Sequence, residues 1–183
     1  MADVPLPAGL AWRQELALVG VQARRDAAAA LRSRLAEALD LSLPAGPRRS
    51  AAGRLAAIGI GPGKWLVTRE ADGEGRLVAE LAATLQGLAA VVDQSDAWLV
   101  ARLAGPSARE ALQRALPIDL HPRRFGPGDA ACTVVAQINV MLWQLDDRPA
   151  YEIAAPRSYA GSFIAALARS CAVGDLPFLP ERR

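Results

Sequence analysis

The sequence predicts an α+β fold with mixed or antiparallel sheets and about four helices. Three observations predict it. Runs of strand period alternate with runs of helical period, in the order strand, helix, strands, helix, strands, helix, strands, helix. The strands come in groups, not singly between helices. The loops that join them are short, which disfavours a doubly wound parallel sheet.

The elements follow in chain order. Pro5, Pro7 and Gly9 make residues 1–12 an N-terminal arm. Glu15–Val21 is a strand. Asp26 is placed to cap a helix running to about Asp40, with Ala27, Leu31, Leu35 and Ala38 on one face. Pro44, Gly46 and Pro47, then Arg48 and Arg49, read as a loop. Leu55–Ile60 and Lys64–Thr68 are strands about the turn Gly61-Pro62-Gly63, and Ala71–Gly75 is a polar turn. Arg76–Leu88 returns to helical period, with Leu77, Leu81, Leu85 and Leu88 aligned. Ala90–Val92 and Ala97–Leu103 are strands about a short turn. Gly105-Pro106-Ser107 opens a helix with the stripe Ala108, Ala111, Leu112, Ala115 and Leu116, and Pro117 stops it. Leu120–Asp129 is a loop. Ala131–Ala136, Ile138–Leu145 and Tyr151–Ala155 are strands. Ser158 is placed to cap a last helix that carries Ile164, Leu167, Ala168 and Cys171 on one face. Residues 173–183 form a tail. Residues 13–172 are expected to be one domain, with 13–88 and 89–172 as two packed halves.

Composition narrows the function. The 183 residues are 52% hydrophobic, with 21 basic against 19 acidic side chains and a formal net charge of +2. That field is too weak for nucleic acid or an anionic membrane. No basic leader precedes an apolar core at the N-terminus, and no apolar run approaches the ~20 residues of a transmembrane helix. Cys132 and Cys171 lie too far apart for a ligand pair, and read as free buried thiols. A cytoplasmic protein without membrane association is expected.

The candidate motifs each meet a simpler alternative. Gly59-Ile60-Gly61-Pro62-Gly63-Lys64 lacks the Ser or Thr that follows the lysine of a phosphate loop, and strand follows in place of a helix. It reads as a tight turn. His121 is the one histidine of the chain. It lacks companions for a metal site, for which three or four ligands are usual. As a base it would need a nucleophile or an orienting carboxylate, and Asp119 is the nearest in sequence. Arg123 and Arg124 adjoin it, and Arg109, Arg114 and Arg157 lie elsewhere. They suit an anion such as a phosphate, or else a solvated face or subunit rim, which is the preferred reading. Trp143 belongs in the core; exposed, it would be the best interface anchor. Asp146-Asp147 is a hairpin turn, and Asp93 and Asp96 cap one. No catalytic, cofactor-binding or metal-ligating residue is assigned. His121, Arg123, Arg124 and Trp143 stand as candidate interface residues.

Three phrases together carry a resemblance. VVDQSDAWLVARLAGPSAREAL, PIDLHPRRFGPGDAACTVVAQINVMLWQ and YEIAAPRSYAGSF resemble the gamma subunit of heterotetrameric sarcosine oxidase. GPGKWLV and the strand at Glu15–Val21 fit the same family. The middle of the chain is similar, more distantly, to the folate-binding aminomethyltransferase fold of the glycine cleavage system. Asp93, Ser95, Gly105, Ala108, Asp119 and Leu120 occupy comparable places. One departure stands out. The aminomethyltransferases carry an Asp-Asp strand whose acid meets folate, and the comparable run here, Ile138–Leu145, holds no acid.

The resemblance implies a non-catalytic subunit of a flavoenzyme that oxidatively demethylates sarcosine to glycine and passes one carbon to tetrahydrofolate. It implies alpha, beta and delta partners, chiefly alpha. FAD, FMN, NAD and tetrahydrofolate would sit in alpha and beta, and zinc in delta. Two alternatives are a stand-alone folate-dependent aminomethyl or formyl transferase, and the equivalent subunit of a related N-methyl amino acid dehydrogenase.

Overall fold

The computed structural model describes residues 9–70 and 75–172. Ten strands form two five-stranded sheets, and every strand pairing is antiparallel. The first sheet runs in the order β1 (Leu10–Trp12), β7 (Trp98–Ala104), β10 (Ala150–Pro156), β9 (Ile138–Asp146), β8 (Ala130–Val135). The second runs β3 (Arg49–Ala52), β4 (Leu55–Gly61), β5 (Lys64–Glu70), β2 (Leu16–Ala23), β6 (Ala89–Asp93).

Period-2 alternation sorts each strand's side chains between two faces and generates four layers. In the first sheet Ala101, Leu103, Val140, Leu142, Tyr151 and Ile153 point to one side. They pack under α3 (Ala108–Ala115) and α4 (Ala160–Ala172) with Leu112, Phe163 and Leu167. In the second, Val19, Val21, Ala57, Trp65 and Val67 pack under α1 (Ala28–Leu39) and α2 (Arg76–Thr84) with Leu31, Leu35, Leu77 and Leu81. The remaining faces meet each other. Leu16, Leu18, Ile58 and Leu66 of one sheet pack on Val100, Met141, Trp143 and Ala154 of the other. The result is a helix–sheet–sheet–helix sandwich, an α+β fold as the grouping of strands predicts.

Several expectations need correction. Leu10–Trp12, expected in the arm, is β1 and pairs with β7. Arg49–Ala52, expected in a loop, is β3. The carbonyls of its neighbours Pro47 and Arg48 accept the backbone N–H groups of Ala130 and Gly59, so the edge is held by the chain around it. Asp26 caps nothing: it sits at φ 61, and α1 has Ala27 at its N-cap with no side-chain cap bond. Asp40 ends that helix in the left-handed region at φ 51. The second helix stops at Thr84, short of Leu88. Ser158 lies inside a 3-10 turn at Arg157–Tyr159, before α4, and makes no cap bond. β6 and β7, adjacent in sequence, enter different sheets, so the sheets exchange strands across the 88/89 boundary. Cys132 is exposed, not buried. The expected tail, residues 173–183, lies outside the described residues, as does most of the polar turn at 71–75.

Candidate functional site

The His121 loop is built from the inside out. Leu120 and Phe125 are buried under α3 and α4 and pin its two ends. Between them the backbone is satisfied locally. Asp119 Oδ1 accepts the N–H of His121 at 2.9 Å, and His121 Nδ1 accepts the N–H of Arg123 at 3.2 Å. The His121 carbonyl accepts the N–H groups of Arg124 and Phe125. Asp129 closes the loop, accepting Gly126 N–H at 2.8 Å and pairing with Arg48 at 2.6 Å. Asp119 therefore holds the backbone and does not orient the imidazole ring. With Nδ1 an acceptor, a neutral ring carries its proton on Nε2. His121, Arg123 and Arg124 project from this fixed frame as exposed side chains.

Trp143 is not with them. It is 1% exposed and lies between the sheets, so burial removes it from the chain's outer surface. Its indole N–H donates to Glu152 Oε2 at 2.8 Å. Glu152 is a buried carboxylate that the sequence reading missed; the signal was one acid inside the apolar run Tyr151–Ala155. Arg13 Nη1 stands 3.4 Å from Glu152 Oε1 and also binds Glu70. Arg49 and Arg102 complete the group. Arg102 is the register partner of Glu152, and Arg49 reaches in from β3. Burial lowers the Arg49 pKa first of all. Glu152 and Glu70 oppose that shift, and the like charges of Arg102 and Arg13 add to it.

The Asp-x-Ser sequence at Asp93–Ser95 is a structural tie. Ser95 Oγ donates to Asp93 Oδ1 at 2.7 Å and accepts Leu18 N–H at 3.1 Å, which joins β6 to β2 and starts the crossing to β7. Arg157 donates to the carbonyls of Asp96, Ser95 and Trp98 at 2.7, 3.2 and 3.3 Å, so it fastens the same turn to the end of β10. A cleft of about 230 Å³ opens here between the sheets, lined by Trp12, Arg13, Leu18, Ser95, Trp98 and Arg157. Pockets for drug-sized ligands hold about 300–1,000 Å³. This cleft is smaller, and the polar groups of Ser95, Arg157 and Arg13 are already engaged.

The other motif residues are also absorbed by the fold. Gly59–Lys64 runs from the end of β4 through the Pro62-Gly63 turn into β5. Gly59 lacks a Cβ because the Gly46 carbonyl occupies the space, and Gly63 turns at φ 65. Arg109 Nε donates to the buried Tyr151 hydroxyl at 3.0 Å, and Arg114 Nε to the Ser170 carbonyl at 2.8 Å. Burial raises the Tyr151 pKa, and Arg109 offsets part of that rise. Among the described residues no three of His, Cys, Asp and Glu stand together as a metal site. No helix among them is long and apolar enough to cross a membrane.

This arrangement offers an exposed basic loop, an intersheet charge group and a cleft of about 230 Å³. Comparison with known proteins decides the family. The family described as "Sarcosine oxidase, gamma subunit family" matches residues 24–173.

The chain belongs to the sarcosine oxidase gamma subunit family.

Its relatives agree. The sarcosine oxidase subunit gamma of an Arthrobacter species is 38% identical over 120 residues, 64% of this chain and 58% of that protein. That of Corynebacterium sp. strain P-1 is 36% identical over the same shares. This chain thus spans less than two thirds of the length of these relatives. Among solved structures, a chain of the heterotetrameric sarcosine oxidase from Corynebacterium sp. U-96, in complex with pyrrole 2-carboxylate, superposes with TM-score 0.80 at 26% identity. The match covers 93% of this chain and 87% of that one. The glycine cleavage system aminomethyltransferase T from Bartonella henselae superposes with TM-score 0.62 at 18% identity, over 91% of this chain and 45% of that one. The second likeness concerns the fold, and it bears out the aminomethyltransferase-like architecture.

Proposed function

We propose that this chain is a gamma-type subunit of a heterotetrameric sarcosine oxidase, and that its own part is assembly and stability. The observation that carries the reading is the match of residues 24–173 to the gamma family, together with candidate groups engaged in holding the fold. Asp93, Ser95, Asp119 and Arg157 each spend their polar atoms on backbone or on one another. The partners would be alpha, beta and delta subunits, chiefly alpha. FAD, FMN, NAD and tetrahydrofolate would be held by alpha and beta, and zinc by delta. The complex would work in the cytoplasm and oxidise sarcosine to glycine. His121, Arg123 and Arg124 form the contact loop. Their guanidinium and imidazole groups are exposed on a backbone already fixed, so docking orders only side chains.

Two measurements test this. Replacing His121 with Ala in the assembled enzyme should leave turnover within a few-fold, because no proton transfer is assigned to it. A fall of 10²-fold or more, as expected for a general base, contradicts the proposal. The isolated chain should not bind tetrahydrofolate. Micromolar binding would favour a folate-dependent transferase instead.

A further inference from the structure

The charge group between the sheets is out of balance. Arg13, Arg49 and Arg102 face Glu70 and Glu152, three guanidiniums against two carboxylates. Both carboxylates are committed. Glu152 is fixed by the Trp143 indole and Arg13, and Glu70 by Arg13. Among the described residues neither Arg49 nor Arg102 has a side-chain hydrogen bond or ion pair. Both are half-buried, so each has given up part of its hydration without an acceptor in return.

Their placement is set by rigid elements. Arg102 stands on β7 between Ala11 and Glu152 in the register, on the face that meets the other sheet. Arg49 stands on β3 opposite Ile58, whose side chain is in the intersheet core, and its N–H is held by the Gly128 carbonyl at 2.7 Å. The group opens to solvent at Glu70, whose side chain is 58% exposed.

We propose that Arg49 and Arg102 form a binding site for a carboxylate at the mouth of the intersheet charge group. A guanidinium fork matches the two oxygens of a carboxylate, and two forks from opposite sheets offer a site that lysines would not. One negative charge neutralises the single excess positive charge. A dianion would reverse the imbalance and lose more hydration on entry. The carboxylate comes either from a small molecule or from an acidic side chain of a docked chain.

The test is a titration of the full chain with sodium propionate, followed by NMR of the arginine Nε–Hε signals against sodium chloride at equal ionic strength. Saturable shifts of Arg49 and Arg102 are expected with propionate and not with chloride. Arg49→Gln and Arg102→Gln, confirmed as folded by circular dichroism, should each weaken binding tenfold or more. Arg49→Lys keeps the charge but loses the fork, and should also weaken it. Shifts of equal size with chloride, or full binding in the Arg49→Gln/Arg102→Gln variant, overturn the site. The same titration on the assembly purified with its partners identifies the source. Arginine signals that no longer respond point to a partner's acid in the site, and signals that still respond point to a small molecule. The first arm uses the chain alone, so its failure is separate from failure of the subunit reading.

Discussion

Glu152 is the residue whose loss tests the packing scheme most sharply. Truncation to Ala strands the Trp143 indole N–H in a region where that ring is 1% exposed. An unsatisfied buried donor costs about 1–3 kcal/mol. The same change leaves three guanidiniums facing only Glu70. Breaking a fully buried ion pair costs about 3–5 kcal/mol. That figure is reduced here, because Arg13 keeps Glu70 and is itself partly exposed. Together about 3–5 kcal/mol is expected for Glu152→Ala. Glu152→Gln keeps an acceptor for Trp143 and loses only the charge, at about 1–3 kcal/mol. For a domain of this length each kcal/mol moves Tm by about 2–4 °C. Urea unfolding of Glu152→Ala, Trp143→Phe and the double variant gives the coupling directly. About 0.5–3 kcal/mol is expected for residues in contact. Additive single effects, or a Glu152→Ala chain as stable as the parent, would refute the claim that this bond joins β9 and β10 in the intersheet layer.

Three further outcomes follow from the same structure. Gly59→Ala places a methyl group against the Gly46 carbonyl and should cost about 1–3 kcal/mol or prevent folding, whereas Gly46→Ala meets open space and should stay within about 0.5 kcal/mol in the same denaturation assay. Arg157→Ala removes three bonds to the 95–98 turn. With the side chain 44% exposed, a loss of about 1–2 kcal/mol is expected, read by chemical denaturation. The hydrogen bond and charge of Arg13 hold the Glu70 pKa below its ordinary 4.5, against a smaller rise from burial. The stability from this pair is therefore complete above pH 4.5 and is lost as pH falls through the folded value. Glu70→Gln should flatten that acid limb, and an unchanged slope would contradict the pairing.

What the sequence disclosed depended on how local the signal was. The helix stripes were legible because Leu31, Leu35, Leu77 and Leu81 recur at helical spacing, and the structure buries them all. The hairpin at Gly61-Pro62-Gly63 was legible from turn chemistry. β3 was not, since Arg49–Ala52 follows two prolines and a glycine and alternates only weakly. The parting of β6 and β7 into different sheets leaves no local trace, because a strand looks the same in either sheet. Asp26 shows the limit of cap rules, because a residue at positive φ cannot present the usual cap geometry. At the site, the resemblance rested on phrases around His121, while the buried carboxylate of Glu152 went unread. A lone acid among apolar strand residues is the mark to look for, because burial there demands a partner.

Purification of the tagged chain from its native host is the most direct test of its role. A yellow complex is expected, in which a larger flavin-containing subunit accompanies the chain in fixed proportion. A lone, colourless chain, recovered intact and folded, would contradict it.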